Sequence, residues 1–159
     1  MFGFMSYHGE KAKIDNTLYH AILNYVKLCD DRQLDIFTNQ TLSNGRMLFS
    51  HQRNLWSKAC RKNGFLADVV GNKAICLNIN DVGSMQFDYL ADKYPDRILF
   101  GFQMKKDGSW SISMYENQSN VDVGEIAKNH FNGGGHKGAS GGNYAGDIMK
   151  LFKNIEIPE

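Results

Sequence analysis

Chemistry in this chain concentrates in one run, Gly133-Gly134-Gly135-His136-Lys137-Gly138-Ala139-Ser140-Gly141-Gly142, where six of the ten residues are glycine. Ordering glycine costs backbone entropy, so a run of it inside a folded chain points to a place where a bare backbone is needed. Without side chains, successive N–H groups can come close to a ligand and form an anion-binding concavity. His136 adds a donor or a stacking ring, and Lys137 adds a positive charge. A phosphate group is the guest that suits this combination. The same composition also allows a flexible loop ahead of a C-terminal element. Gly133-x-Gly135-x-x-Gly138 matches the dinucleotide fingerprint literally, but that fingerprint must follow a strand and open a helix. Here the run follows a helical pattern. The phosphate-loop pattern fails too, because no Gly-Lys-Ser or Gly-Lys-Thr occurs.

The other reactive residues do not converge along the sequence. His8, His20, His51, His130 and His136 are not spaced with aspartates as metal ligands would be. Asp30-Asp31-Arg32-Gln33-Leu34-Asp35 is an acidic cluster, read first as a solvated helix end because charge runs are mostly surface. Cys29, Cys60 and Cys76 form no C-x-x-C pair and fall in apolar-periodic segments, which fits reduced, buried thiols. Trp56, Trp110 and Tyr115 could stack on a base. Tyr115 shares the polar side of its strand with Ser113, near the glycine run, and is the better candidate; Trp110 belongs to the core side.

The elements that must hold these residues follow from periodicity. Residues 15–30 read as a helix capped by Asp15, Asn16 or Thr17, with Leu18, Ile22, Tyr25 and Cys29 at helical spacing. Residues 50–63 read as a second helix, with Ser50 as N-cap and Gly64 as a left-handed stop. Strands are expected over 65–70 and 73–79 around a Gly71-Asn72 turn. A helix over 84–94 ends before Pro95. A strand over 97–104 turns at Lys106-Asp107-Gly108 into a strand over 109–115, whose strict alternation marks it as half-buried. Asp122 and Glu125 form a capping box, with Val121 and Ile126 as a hydrophobic staple, for a helix reaching about Phe131. The glycine run follows, then a short helix over 147–155 carrying Ile148, Leu151 and Phe152. The fold class is α+β: N-terminal helices followed by a small mixed β-sheet flanked by helices.

The chain's 159 residues are enough to bury a core without staples, and 42% apolar with 22% charged residues is ordinary globular composition. A net charge of +1 argues against an extended duplex platform, which needs a strong basic excess, but leaves room for one small anionic ligand. The segment from Met1 to Met5 lacks the charge and apolar length of a leader, and no stretch nears the ~20 apolar residues of a membrane span. The expectation is a cytoplasmic, soluble protein without membrane partners.

The order Val121-Asp122-Val123-Gly124-Glu125-Ile126-Ala127-Lys128, then Gly133-Gly134-Gly135-His136-Lys137-Gly138-Ala139-Ser140-Gly141, resembles the DHHA1 domain, the substrate-binding half of the DHH phosphoesterase superfamily. That superfamily includes oligoribonucleases, cyclic-dinucleotide phosphodiesterases and single-strand exonucleases. The resemblance implies that Gly133, Gly134, Gly135 and His136 bind nucleotide and phosphate. Ala139, Ser140 and Gly141 match the motif's small-residue tail, and Lys137 and Gly138 lie between. With Ser113 and Tyr115, these make up the expected ligand-binding set. Ser113-Met114-Tyr115-Glu116 stands where the family often has a basic residue, and Asn129-His130-Phe131-Asn132 where a further glycine is usual. Superfamily hydrolases use paired metal ions, usually manganese, held by a separate domain with an Asp-His-His triplet, which this chain lacks. The acidic stretch from Asp30 resembles the end of that domain in some relatives. No catalytic or metal-ligating residue is therefore assigned, and manganese is expected only where a partner supplies such a domain. Residues 1–62 are expected to be a helical segment or connector, and residues 63–159 the nucleotide-binding domain. The leading reading is a module that holds a nucleotide, short oligonucleotide or cyclic dinucleotide, as a sensor or a sequestering sponge. The alternatives are a truncated or split metal-dependent phosphodiesterase and an interaction domain with a degenerate loop. Whether the chain pairs with itself is open.

Overall fold

The computed structural model describes residues 16–78 and 83–158. Asp15, Ile79, His8 and the segment from Met1 to Met5 lie outside the described residues. The chain divides into two compact units, Met1–Gln52 and Arg53–Glu159.

The first unit is helical, with α1 (Asn16–Leu28) and the larger part of α2 (Asp31–Asn63). The acidic cluster at residue 30 opens α2. The Asp30 carboxylate accepts from the Gln33 backbone N–H at 2.8 Å, and the Gln33 side-chain oxygen accepts from the Asp30 N–H at 3.1 Å. These reciprocal bonds satisfy two donors that the first helical turn otherwise leaves bare. The helix thus begins well before the expected cap at Ser50, which lies inside it. Residues 31–50 contain no proline and one glycine, Gly45. One glycine costs a helix only about 1 kcal/mol, too little to break it.

The second unit takes the last turns of α2 into a seven-stranded mixed sheet. Its strands are β1 (Phe65–Val69), β2 (Asn72–Asn78), β3 (Ile98–Met104), β4 (Trp110–Tyr115), β5 (Gly134–His136), β6 (Ala139–Tyr144) and β7 (Phe152–Glu156). The spatial order is β5-β6-β4-β3-β2-β1-β7. Only β2 and β3 run parallel; every other neighbouring pair is antiparallel. A 3-10 turn (Ser84–Phe87) continuing into α3 (Asp88–Ala91) lies between β2 and β3, and α4 (Val123–His130) lies between β4 and β5. The helix expected over 84–94 is shorter because a proline at 95 disfavours helical geometry at Tyr94. The architecture is the expected α+β arrangement, N-terminal helices and then a mixed sheet flanked by helices, with DHHA1-like topology.

Three local expectations are corrected. The β1–β2 turn centres on Val70 and Gly71, at φ 50° and 78°, one residue earlier than Gly71-Asn72. Two positive φ values match the twist of a hairpin, and Asn72 Nδ2 donates to the Val70 carbonyl at 3.0 Å to fix the register. Gly64 ends α2 without a left-handed backbone: a Cβ there would lie 2.5 Å from the Cys60 carbonyl oxygen and 2.9 Å from Leu90, so it is packing that requires glycine. The helix expected over 147–155 is a 3-10 turn (Ile148–Leu151), capped by Asp147, followed by strand β7. The open edge of β1 offers that segment a ladder, and Phe152 is buried against the rings of Phe65 and Phe102, with centroids at 5.1 and 5.2 Å.

Strand alternation separates two cores. One face of the sheet buries Phe100, Phe102, Ile112 and Met114 against Val123, Ala127 and Phe131 of the α4 region. The opposite face buries Leu66, Ile75, Leu77 and Leu99 against Cys60, Phe87 and Leu90. No helix among the described residues is long and apolar enough to cross a membrane.

Candidate functional site

The second core ends at β3, with Tyr115 of β4 packed at its border. Beyond it, the same face of β4, β6 and β5 carries the residues singled out in the sequence. Pairing registers set them in rows across the strands. His136 pairs with Ala139, Ala139 with Tyr115, and Tyr115 with Leu99. In the next row Gly134 pairs with Gly141, Gly141 with Ser113, and Ser113 with Gly101. The third row is Asn143, Ser111 and Gln103. Directly paired residues share a face, so the three rows lie side by side about 6.7 Å apart, two residues along a strand. His136, Gly134, Ala139 and Asn143 are exposed, and Tyr115, Ser113, Ser111 and Gly141 are half-buried.

The surface is thus a strip with a ring and an imidazole at one end and Gly134, Gly141 and Ser113 across the middle, where Gly101, next in that row, is buried. It differs from the expected loop. Residues 134–144 form a β-hairpin around Lys137-Gly138, so backbone N–H groups lie in the sheet plane, and β6, between β5 and β4, is laddered on both sides. What the glycines provide is a stretch of sheet without side chains. A Cβ at Gly134 or Gly138 would meet nothing within 4 Å. The remaining glycines answer packing. A Cβ at Gly133 would clash with the Gly141 carbonyl, at Gly135 it would lie 2.5 Å from the Ala139 carbonyl, and at Gly142 2.5 Å from that of Phe131.

Helix α4 holds the hairpin in place. Asp122 caps it as expected, accepting from the Glu125 N–H at 3.1 Å. Val121 packs on the core beside Ile126, where the staple places it. The Val123 N–H donates to the Lys137 carbonyl at 3.2 Å, and the Glu116 N–H to the Gly138 carbonyl at 3.0 Å. Both carbonyls of the turn are therefore occupied by backbone donors, which removes acceptors that would repel an anion. Ser140 faces the opposite side, with its Oγ donating to the Val123 carbonyl at 2.7 Å. Of the sequence-derived set, His136, Gly134, Ala139, Gly141, Ser113 and Tyr115 share the open face. Ser140 fastens the helix; Lys137 and Gly138 form the exposed tip. Burial pushes the Tyr115 phenol above its ordinary range, so it is neutral and a hydrogen-bond donor near neutral pH. Gly101, Gln103, Ser111 and Asn143 were missed, because their membership depends on strand register; the alternation of Ser109, Ser111, Ser113 and Tyr115 was the one signal that pointed to Ser111.

Among the described residues no three His, Cys, Asp or Glu side chains come together as metal ligands would. The described residues therefore offer no ligand set for a manganese pair. His130, on α4, stacks edge-on to Phe131 at 6.5 Å.

The fold defines a DHHA1-like sheet with an open face. No family model and no curated protein matches the chain. Among solved structures it is similar to the pGpG-specific phosphodiesterase PggH from Vibrio cholerae, at 14% identity and a TM-score of 0.54, over 89% of this chain and 48% of that one. An exopolyphosphatase-related protein from Bacteroides fragilis aligns at 17% identity and a TM-score of 0.44, over 93% and 44%. An uncharacterized protein from Helicobacter pylori G27 aligns at 25% identity and a TM-score of 0.44, over 60% and 26%. The chain thus spans less than half the length of these structures. The likeness to the phosphodiesterase is one of fold.

Proposed function

We propose that the open face of β4, β6 and β5 binds a nucleotide, and that the chain is a nucleotide-holding module related to the substrate-binding half of DHH phosphoesterases. The observation that carries this is the pair of adjacent rows: His136 and Tyr115 in one, Gly134 and Gly141 with Ser113 in the next. A base stacks on the aromatic row. Its phosphate lies over the bare row, where no side chain keeps it away and where Ser113 and His136 donate to it. The fold shared with a phosphodiesterase whose name specifies a dinucleotide supports the same ligand class.

The test is binding of labelled mononucleotides, linear dinucleotides and cyclic dinucleotides, each recovered afterwards to see whether it is intact. His136→Ala should weaken binding about tenfold, the value of one strong hydrogen bond to a charged group. Gly134→Val should weaken it comparably by filling the bare row, and both variants should keep the melting temperature of the parent. Tyr115→Phe should retain affinity while Tyr115→Ala loses about 1–3 kcal/mol of stacking. Unchanged affinity in His136→Ala and Gly134→Val would refute the assignment.

A second reading is favoured by one observation: the chain covers 48% of the phosphodiesterase it resembles in fold. On that reading it is half of a split phosphodiesterase whose metal ligands lie on another segment or partner. Turnover of a dinucleotide on adding manganese to the chain, without a partner, would contradict both readings.

A further inference from the structure

The third row of the open face has no part in holding a first nucleotide, yet it is built from hydrogen-bonding groups. Ser111 pairs with Asn143 on one side and Gln103 on the other. Lys105, just past the end of β3, donates from Nζ to Asn143 Oδ1 at 3.0 Å. A lysine ammonium is donor only, so it fixes which way the Asn143 amide faces: oxygen to the lysine, NH2 group away from it. The lysine is held at its own backbone, whose N–H donates to the Ser109 carbonyl at 2.7 Å and whose carbonyl accepts from Gly108 N–H at 3.0 Å. The acidic neighbour, Asp107, lies at the same place but spends its Oδ1 on Ser109, accepting from Ser109 N–H at 3.0 Å and from Ser109 Oγ at 2.6 Å. Gln103, Met104, Lys105, Lys106, Asp107 and Ser111 line a shallow depression of about 560 Å³, with two ammonium groups to one carboxylate, and Asn143 joins it through its bond to Lys105. That is room for one nucleotide-sized group.

We infer that Lys105, Asn143, Ser111 and Gln103 form a second subsite, which takes the distal nucleotide of a ligand whose first nucleotide lies on Tyr115 and His136. This rests on the proposed reading of that first row. Three things favour this occupant. The Lys105 ammonium and the oriented Asn143 amide present donors, which suits a phosphate. Gln103 and Asn143 carry the amide chemistry that pairs with base edges. The distance also fits, since the third row lies about 13 Å along the strands from the first with the bare row halfway between. A ligand one nucleotide long fills the first two rows and leaves the third untouched. A ligand two nucleotides long crosses all three.

The experiment compares 5′-phosphorylated diguanylate and diadenylate with the matching mononucleotides, on the full chain, by calorimetry at several salt concentrations. For the parent protein we expect at least one dinucleotide to bind about tenfold tighter than its mononucleotide, the value of one added charge-assisted contact. Lys105→Ala should remove most of that advantage and leave mononucleotide affinity unchanged. It should also lower the slope of log affinity against log salt by about 0.7, the value for one phosphate contact on a single strand. Lys105→Arg should retain the advantage, and Asn143→Ala should lose part of it. Equal affinity for mono- and dinucleotide, or a Lys105→Ala loss shared equally by both, overturns the second subsite and leaves the first reading standing. Failure of every probe to bind the parent protein overturns both.

Discussion

At the scale of single residues, the glycine run mixes two demands that composition cannot separate. Gly134 and Gly138 face open space, whereas Gly133, Gly135 and Gly142 sit where backbone strands and the end of α4 leave no room for a Cβ. Substitution should sort them. Gly134→Ala should leave stability within about 0.5 kcal/mol of the parent, as exposed substitutions do. Gly133→Ala and Gly142→Ala should each cost about 1–3 kcal/mol, the usual cost of overpacking. At about 4–8 °C per kcal/mol for a unit of this size, thermal melts will resolve the difference. Equal melting temperatures for Gly134→Ala and Gly133→Ala would mean that the hairpin does not close on itself as described. The ligand contacts proposed for the run therefore rest on fewer glycines than its composition advertises, together with His136.

At the scale of elements, α4 is the part that holds the hairpin of the proposed site, and it is the most legible part of the sequence. Its cap, staple and length are set by residues within one turn of each other, so local chemistry suffices to read them. Removing the cap with Asp122→Ala should cost about 1 kcal/mol. Ser140→Ala should cost a similar amount, about 1 kcal/mol, by leaving the Val123 carbonyl short of a partner. Both are measurable by urea denaturation, and an Asp122→Ala protein as stable as the parent would remove the capping argument. Two of the elements read wrongly have partners distant in sequence. Strand β7 carries helix-like spacing but pairs with β1, and Asn154 donates to Asp68, 86 residues away, at 2.6 Å. The 134–144 hairpin looks like a loop because glycine has low strand propensity, yet pairing with β4 imposes the strand. Helix α2 was truncated for the opposite reason: its true start is the capping box at Asp30, whose acidic residues were read as surface charge.

At the scale of the whole molecule, the two buried thiols report on the sheet from opposite sides. Cys76 lies in the core beneath α4 and Cys60 in the core beneath α3. Burial pushes the Cys60 thiol up from 9.0 to about 11, and burial raises that of Cys76 as well. The thiolate is the disfavoured form in the folded state, so above pH 9 the unfolded chain sheds protons that the folded chain keeps. Stability is therefore intact below pH 9 and is lost as pH rises from there toward 11. The Tyr115 phenol, also raised by burial from 10.0, adds to the same alkaline loss. Melting temperatures measured from about pH 7 to about pH 10.5 should be level at first and then fall, and the fall should be shallower in a Cys60→Ala, Cys76→Ala variant, whatever its starting stability. A parallel fall in parent and variant would show that other groups carry the alkaline transition. Thiol labelling gives an independent check at neutral pH. Cys29 is half-buried while Cys60 and Cys76 are fully buried, so one thiol should react in the native protein and three after denaturation. If all three react at one rate before denaturation, the sheet does not cover its two cores, and the open face beside them could not be held in register.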